Sequence, residues 1–353
     1  MKSLFETVKA GDLILKNRLV MAPLTRCRAS GEDGRTPNDL MVEYYKQRSG
    51  AGLILTEATS VDPMGVGYPH TPGLWSEEHV LGWKKITDAV HENQGTIVAQ
   101  LWHVGRISDP YYLNGELPVA PSALKPSGRV SLVRPEKEYV TPRALEKDEI
   151  IAIVQQYKNA ALNAKKAGFD GIEIHAANGY LIDQFLQDST NKRNDQYGGS
   201  IENRSRFLLE IIDQCSEVFG YGRIGVHLAP RMDSHDMGDS NPKALFGYVA
   251  KELGKRKIAF IFTREHLAED QISDYIKEEF GGFFIRNEKI PPHEAEALVT
   301  TNRADAVSFG VQYIANPDLD LRLKNNSPLN TPNPQTFYAV GTTGYTDYPF
   351  YKE

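Results

Sequence analysis

Cysteine is nearly absent. Cys27 and Cys215 are the only two in 353 residues, too few for a disulfide framework or a cysteine-built metal site, though enough for a single bridge. Long apolar runs are missing too: none reaches the roughly eighteen residues of a membrane span, and the opening "MKSLFETVKAGDLIL" has no signal core. The expectation is a cytoplasmic protein without membrane association. No sign of charge dominates, since 40 basic residues stand against 46 acidic ones for a net charge of −6. Without a long block of one sign, nucleic acid is not an expected partner. HExxH, CxxC and GxSxG spacings are absent, which removes the usual zinc motifs and the serine-hydrolase elbow; no metal is expected.

What remains is ordinary globular material, 41% apolar and 24% charged, enough for a sizeable core. Short apolar or β-branched runs recur along it: "RLVMAPL", "GLILTEA", "TIVAQLW", "GIEIHAA", "RIGVHLA", "IAFIFT", "GGFFIRN" and "ADAVSFG". Stretches of helical periodicity follow them, at 38–48, 77–93, 147–166 and 317–324 among others. Near-continuous apolar strands suit a parallel sheet buried on both faces, and eight of them suit closure into a barrel. The pattern predicts a (β/α)₈ TIM barrel, an α/β fold in which residues 1–353 form one domain.

Two stretches break the alternation. Residues 104–146 are rich in Pro, Gly and Ser with short alternating runs such as "RVSLV"; a loop of that length is usually functional, and it is read as a hairpin-bearing cap inserted after the third strand. The tail beyond Leu329 is aromatic and turn-rich without helical periodicity. It is expected to pack along the surface or the barrel mouth.

Active sites in this fold form at the carboxyl ends of the strands. There, directly after "GIEI", stand His175, Asn178 and Tyr180. Taken singly they read as a satisfied core histidine, a turn asparagine and a packed tyrosine. Together they offer two neutral donors able to hold an oxygen on which negative charge develops, and a phenol able to deliver a proton beside it.

The segment "HAANGYLIDQFLQDSTNKRNDQYGGSIENRSRF" resembles the signature of the Old Yellow Enzyme family, FMN-dependent ene-reductases that include bacterial N-ethylmaleimide reductases. "LKNRLVMAPLTRCRA", "TEATSV", "AQLWHVGR", "ADAVSFG" with "IANPDL", and "GYTDYP" extend the resemblance, in order, over nearly the whole chain. It implies FMN at the barrel mouth, reduced by NADPH or NADH, and an activated alkene (an enone, maleimide or nitroalkene) that accepts hydride from flavin N5. His175 and Asn178 then resemble the pair binding the substrate's carbonyl or nitro oxygen, and Tyr180 the proton donor. Pro23, Leu24 and Thr25 resemble the segment under the flavin ring, Ala58 and Gln100 the residues at its pyrimidine edge. Tyr68, Trp102 and Tyr345 resemble the aromatic walls of the substrate pocket.

The resemblance is imperfect around the cofactor. The family ends its fifth strand with an arginine facing the flavin N1 and O2 edge, where this chain has His227; weaker or pH-dependent support of a reduced flavin is the expectation. Arg231, four residues on, is not assigned that role. The phosphate loops carry Asn287, Glu288 and Lys289 after the seventh strand, and Gly310 followed by Val311, where an arginine is usual, after the eighth. Lys289 is the candidate replacement cation, and Glu288 is awkward beside a phosphate. The alternative reading is a barrel with weakened or lost flavin binding, acting as a non-redox ligand-binding protein.

Overall fold

A computed structural model of the chain describes residues 3–231 and 234–351. Eight parallel strands close on themselves: Leu19–Met21, Leu53–Leu55, Ile97–Trp102, Gly171–Ala176, Ile224–Leu228, Phe260–Arg264, Phe284–Asn287 and Ala306–Phe309, here the first to eighth barrel strands. Each pairs with its sequence neighbour, and the eighth returns to the first through Val307↔Leu19 and Phe309↔Met21. The (β/α)₈ expectation is met, and every strand falls inside the apolar run that predicted it except the sixth, which runs one residue further to Arg264.

The helices form an outer ring: α1 (Asp39–Gln47), α2 (Glu77–Glu92), α3 (Lys147–Lys166), the short α4 (Leu181–Leu186), α5 (Ile201–Phe219), α6 (Pro242–Arg256), α7 (Ser273–Phe280), α8 (Pro292–Thr300), α9 (Val311–Ala315) and α10 (Leu319–Lys324). Local chemistry sets their ends. Asn38 caps α1 by accepting from the Met41 N–H, and Ser200 caps α5 through the Asn203 N–H, satisfying donors that the first turn leaves unpaired. In α3, Asp148 and Glu149 occupy the first turn and Lys165 and Lys166 the last, complementing the helix dipole. Its buried stripe of Ile150, Ile153, Val154, Tyr157, Ala160, Ala161 and Ala164 follows the helical period and faces the sheet.

Strand alternation divides the core. Ile172, Ile174 and Ala176 of the fourth strand point outward to the helices, whereas Val20, Leu53, Val98, Phe260, Phe262 and Ile285 fill the barrel interior. A short antiparallel hairpin, Val8–Ala10 with Leu13–Leu15, closes the bottom and contributes Ala10, Leu13 and Leu15 to that interior. Higher up the barrel the inward positions become polar, with Gln100, Glu173, His175 and His227 all buried.

Residues 104–146 pack beside Trp102 at the end of the third strand, with less regular structure than the expected hairpin. Val119–Ala120 pairs in parallel with Arg143–Ala144, and "RVSLV" contributes one antiparallel bridge, Arg129↔Glu138. Leu132 takes left-handed backbone (φ 59°), which ends the extended run before a ladder can form. Val130, Val133 and Tyr139 of this segment are nonetheless buried against Trp102 and Ile107.

The tail is tied down by two buried arginines from the loop after the first strand. Arg26 donates to the Phe337 and Gly344 carbonyls at 3.0 and 2.8 Å, and Arg28 to those of Thr336, Phe337 and Gly341. Tyr345 is fully buried, stacked on Tyr44 with ring centroids 4.1 Å apart, and the Arg28 guanidinium lies 4.3 Å from its centroid. Tyr345→Ala is expected to cost about 3–5 kcal/mol, as for a large buried aromatic, and the midpoint of urea unfolding checks it. An unchanged midpoint would mean that the tail contributes nothing to the cooperative unit.

Candidate active site

The fourth and fifth strands run in register so that His175 lies beside His227, their rings stacked at 4.9 Å. Beyond His175 the chain turns through Asn178 (φ 58°) and Gly179 (φ 78°) into α4. Asparagine tolerates the left-handed region better than most residues and glycine freely; a Cβ on Gly179 would also come within 3.0 Å of Met237. Asp183 fixes the turn by accepting the Gly179 N–H at 2.9 Å, and Gln184 by donating to the Gly179 carbonyl at 2.7 Å. Tyr180 thereby projects into the mouth.

There the Tyr180 hydroxyl meets that of Tyr68 at 2.8 Å. Trp102 packs edge-on against the Tyr180 ring at 4.9 Å and lies parallel to His175 at 6.4 Å. Ala58 joins the same buried cluster. These groups are neutral near pH 7 for a common reason, desolvation. Burial holds the His175 imidazole down at about 3, helped by the Arg264 charge, pushes His227 well below its ordinary value, and raises the Tyr180 phenol well above its own. Burial thus favours the uncharged form of the His227 imidazole.

A cavity of about 490 Å³ opens beside this group, lined by Pro23, Leu24, Asn178, His227, Phe262, Arg264, Asn287, Glu288, Lys289, Gly310, Val311 and Tyr338 among others. That size is ordinary for a cofactor or small-molecule site. Of the candidates carried from the sequence, Gln100 reaches the cavity indirectly, through a 3.3 Å contact between its Nε2 and His227 Nδ1. Thr25 is half-buried in the loop after the first strand, and neither it nor Ala58 lines the cavity. Tyr345 lies apart from Trp102 and Tyr180, in the stack with Tyr44. A larger cavity of about 720 Å³ lies at the hairpin end of the barrel, without these converging donors, so volume alone does not mark the site.

A flavin nucleotide fits the residues present. Pro23, Leu24 and Phe262 offer an apolar bed. His227 Nε2 and Ser308 Oγ are buried without partners beside the cavity, and such groups call for a ligand atom. Lys289 and the backbone at Gly310 and Val311 line the same cavity. The discordant group is Glu288. Among the described residues no cluster of three or more His, Cys, Asp or Glu is placed to hold a metal ion, and no helix is long and apolar enough to cross a membrane.

Sequence reasoning missed Arg264, Phe262, Tyr338 and Tyr139. Arg264 was within reach, because the strand-end rule applied to "IAFIFT" finds it one residue on. It donates to Asn178 Oδ1 at 3.1 Å, and a guanidinium carries only donors. The Asn178 oxygen therefore turns toward Arg264, leaving its NH₂ as the group offered to a ligand. Tyr338 arrives on the aperiodic tail, which gave no signal.

This fold, with a buried cluster of neutral donors beside a deep cavity at the strand ends, defines a barrel enzyme of the cofactor-using kind. Residues 3–330 match the NADH:flavin oxidoreductase / NADH oxidase family, and the chain belongs to that family, the Old Yellow Enzyme group of flavin oxidoreductases. It is 43% identical to a probable flavin mononucleotide-dependent alkene reductase of Leishmania infantum, over 96% of this chain and 95% of that protein. A putative 12-oxophytodienoate reductase 5 of Oryza sativa subsp. japonica is 41% identical, with 97% and 93% covered. Among solved structures, the old yellow enzyme homologue from Zymomonas mobilis superposes with a TM-score of 0.95 at 42% identity, covering 99% of each chain. Morphinone reductase in complex with tetrahydroNAD gives 0.95 at 44%, covering 100% of this chain and 98% of that one.

Beneath the histidines, Gln100 Nε2 donates to Glu173 Oε2 at 2.6 Å, and burial pushes the Glu173 carboxyl up to about 8. A carboxyl whose folded pKa lies above its unfolded value keeps its full contribution below about 4.3, the unfolded pKa, and loses it as pH rises through the folded one. Glu173→Gln should abolish that loss. Denaturant unfolding between pH 4.5 and 8 is expected to show wild type losing ground to the variant by at most about 1.4 kcal/mol per pH unit. A difference independent of pH would mean that Glu173 is ionised throughout.

Proposed function

We propose that the protein is an NAD(P)H-dependent ene-reductase that uses FMN to reduce electron-poor C=C bonds in enones, maleimides and nitroalkenes. The observation carrying this reading is the convergence of His175, Asn178 and the Tyr180–Tyr68 pair at the mouth, beside a cavity lined by Pro23, Leu24, His227 and Lys289. The names of the alkene reductase and morphinone reductase relatives support it.

FMN, when bound, supplies the hydride, taken from a nicotinamide cofactor and passed to the alkene. His175 and the Asn178 NH₂ donate to the substrate's carbonyl or nitro oxygen and stabilise the charge growing there. Being neutral, they supply donors without also trapping an anionic product. Tyr180, kept fully protonated by burial, delivers the proton to the carbon beside the activating group. Tyr68 holds that hydroxyl in place at 2.8 Å, Trp102 walls the pocket, and the segment 104–146 keeps water from the mouth.

The rival reading, a ligand-binding barrel without flavin, draws on Glu288 at the cavity wall. Purified protein with a flavin-like visible spectrum, bleached by NADPH and restored by an enone, decides for the ene-reductase. Protein still colourless after incubation with excess FMN excludes it. Tyr180→Phe is expected to slow the enone half-reaction by about 10²–10⁴-fold while flavin reduction by the nicotinamide keeps its rate in stopped flow; equal losses in both halves would remove the proton-donor role. His175→Ala and Asn178→Ala should each weaken phenol binding, followed by absorbance titration, by about tenfold or more. Unchanged affinity would take that residue out of the oxygen site.

A further inference from the structure

Arg264 ends the sixth strand, in register with Asn287 of the seventh, and its guanidinium is divided between two tasks. Nη1 holds Asn178. The opposite edge faces the Glu288 carboxylate, with Nε at 3.0 Å from Oε2 and Nη2 at 3.3 Å from Oε1. This is the fork-to-fork geometry in which a guanidinium binds a carboxylate or a phosphate alike. The pair stands at the cavity wall, its side chains 35% and 21% exposed, within reach of a bound molecule.

Glu288 is held there on backbone that side chains avoid, φ 94°, followed by Lys289 at φ 51°. Its carboxylate faces Arg264, and Lys289 and His227 line the same cavity. An anion entering this end meets a cationic fork whose geometry suits it, and whose partner is an internal anion of the same shape.

Resting on the flavin reading above, we infer that Glu288 is a built-in stand-in for the cofactor's phosphate: on binding, a phosphate oxygen pair displaces Glu288 from the Nε–Nη2 edge of Arg264, while Nη1 keeps its hold on Asn178. The exchange makes cofactor affinity depend on a competition inside the chain. It also ties occupancy of the phosphate end to the orientation of the residue that binds the substrate oxygen.

The test is the dissociation constant of FMN and of riboflavin, which lacks the phosphate, read from quenching of flavin fluorescence for wild type, Glu288→Gln, Arg264→Met and the double variant. Glu288→Gln is expected to tighten FMN about tenfold and Arg264→Met to weaken it about tenfold, the scale of one charge-assisted pair, with riboflavin little changed by either. The gain from Glu288→Gln should shrink to about twofold or less in the Arg264→Met background, where no fork is released. Arg264→Lys, which keeps the cation, should recover part of it. An equal gain in both backgrounds, no effect of Arg264→Met, or equal shifts for riboflavin and FMN would each overturn the exchange while leaving flavin binding intact. Failure of all the proteins to bind either flavin would overturn the flavin reading and the exchange with it.

Discussion

Closure of the sheet governs everything else in this molecule. Pairing of the eighth strand with the first abolishes free edges and forces alternate residues of every strand into a narrow interior. In its lower part that interior is apolar. Further up, the same alternation sets Gln100 beside Glu173 and, above them, His175 beside His227, where polar groups must find partners in each other or in a bound molecule. The register that stacks His175 on His227 is thus a consequence of barrel geometry before it is a feature of any reaction.

The electrostatics of the site follow from the same confinement. Desolvation is the largest influence on His175, His227, Tyr180 and Glu173 alike, and it drives all four to their uncharged forms. The ionisable side chains Arg264, Glu288 and Lys289 stand instead at the cavity wall, where solvent still reaches. A neutral pocket thus adjoins a charged rim, joined by Arg264, which bonds Asn178 on one side and Glu288 on the other.

The sequence was informative wherever local pattern determines structure. Runs such as "TIVAQLW" and "GIEIHAA" are strands because a parallel sheet covered by helices must be apolar on both faces, and the polar trio after the fourth strand could be read because the fold places strand ends at the mouth. Contacts made by side chains without periodicity were not legible. Nothing in "NTPNPQTFYAVGTTGYTDYP" distinguishes Tyr338, which lines the cavity, from Tyr345, which stacks on Tyr44. Arg264 was hidden by a strand boundary set one residue short, and Leu132 shows how one left-handed residue converts an alternating run into a single bridge.

The docked tail has a consequence for how the molecule comes apart. Its bonds to Arg26 and Arg28 join positions more than 300 residues apart in sequence, 318 for Arg26 with Gly344 and 308 for Arg28 with Thr336. Pairing of the eighth strand with the first already brings both ends of the chain together, so the tail's bonds close little extra loop once the sheet is shut. Tail and barrel therefore hold together as one unit, with Tyr345 in the same buried cluster as the strands and the surrounding helices.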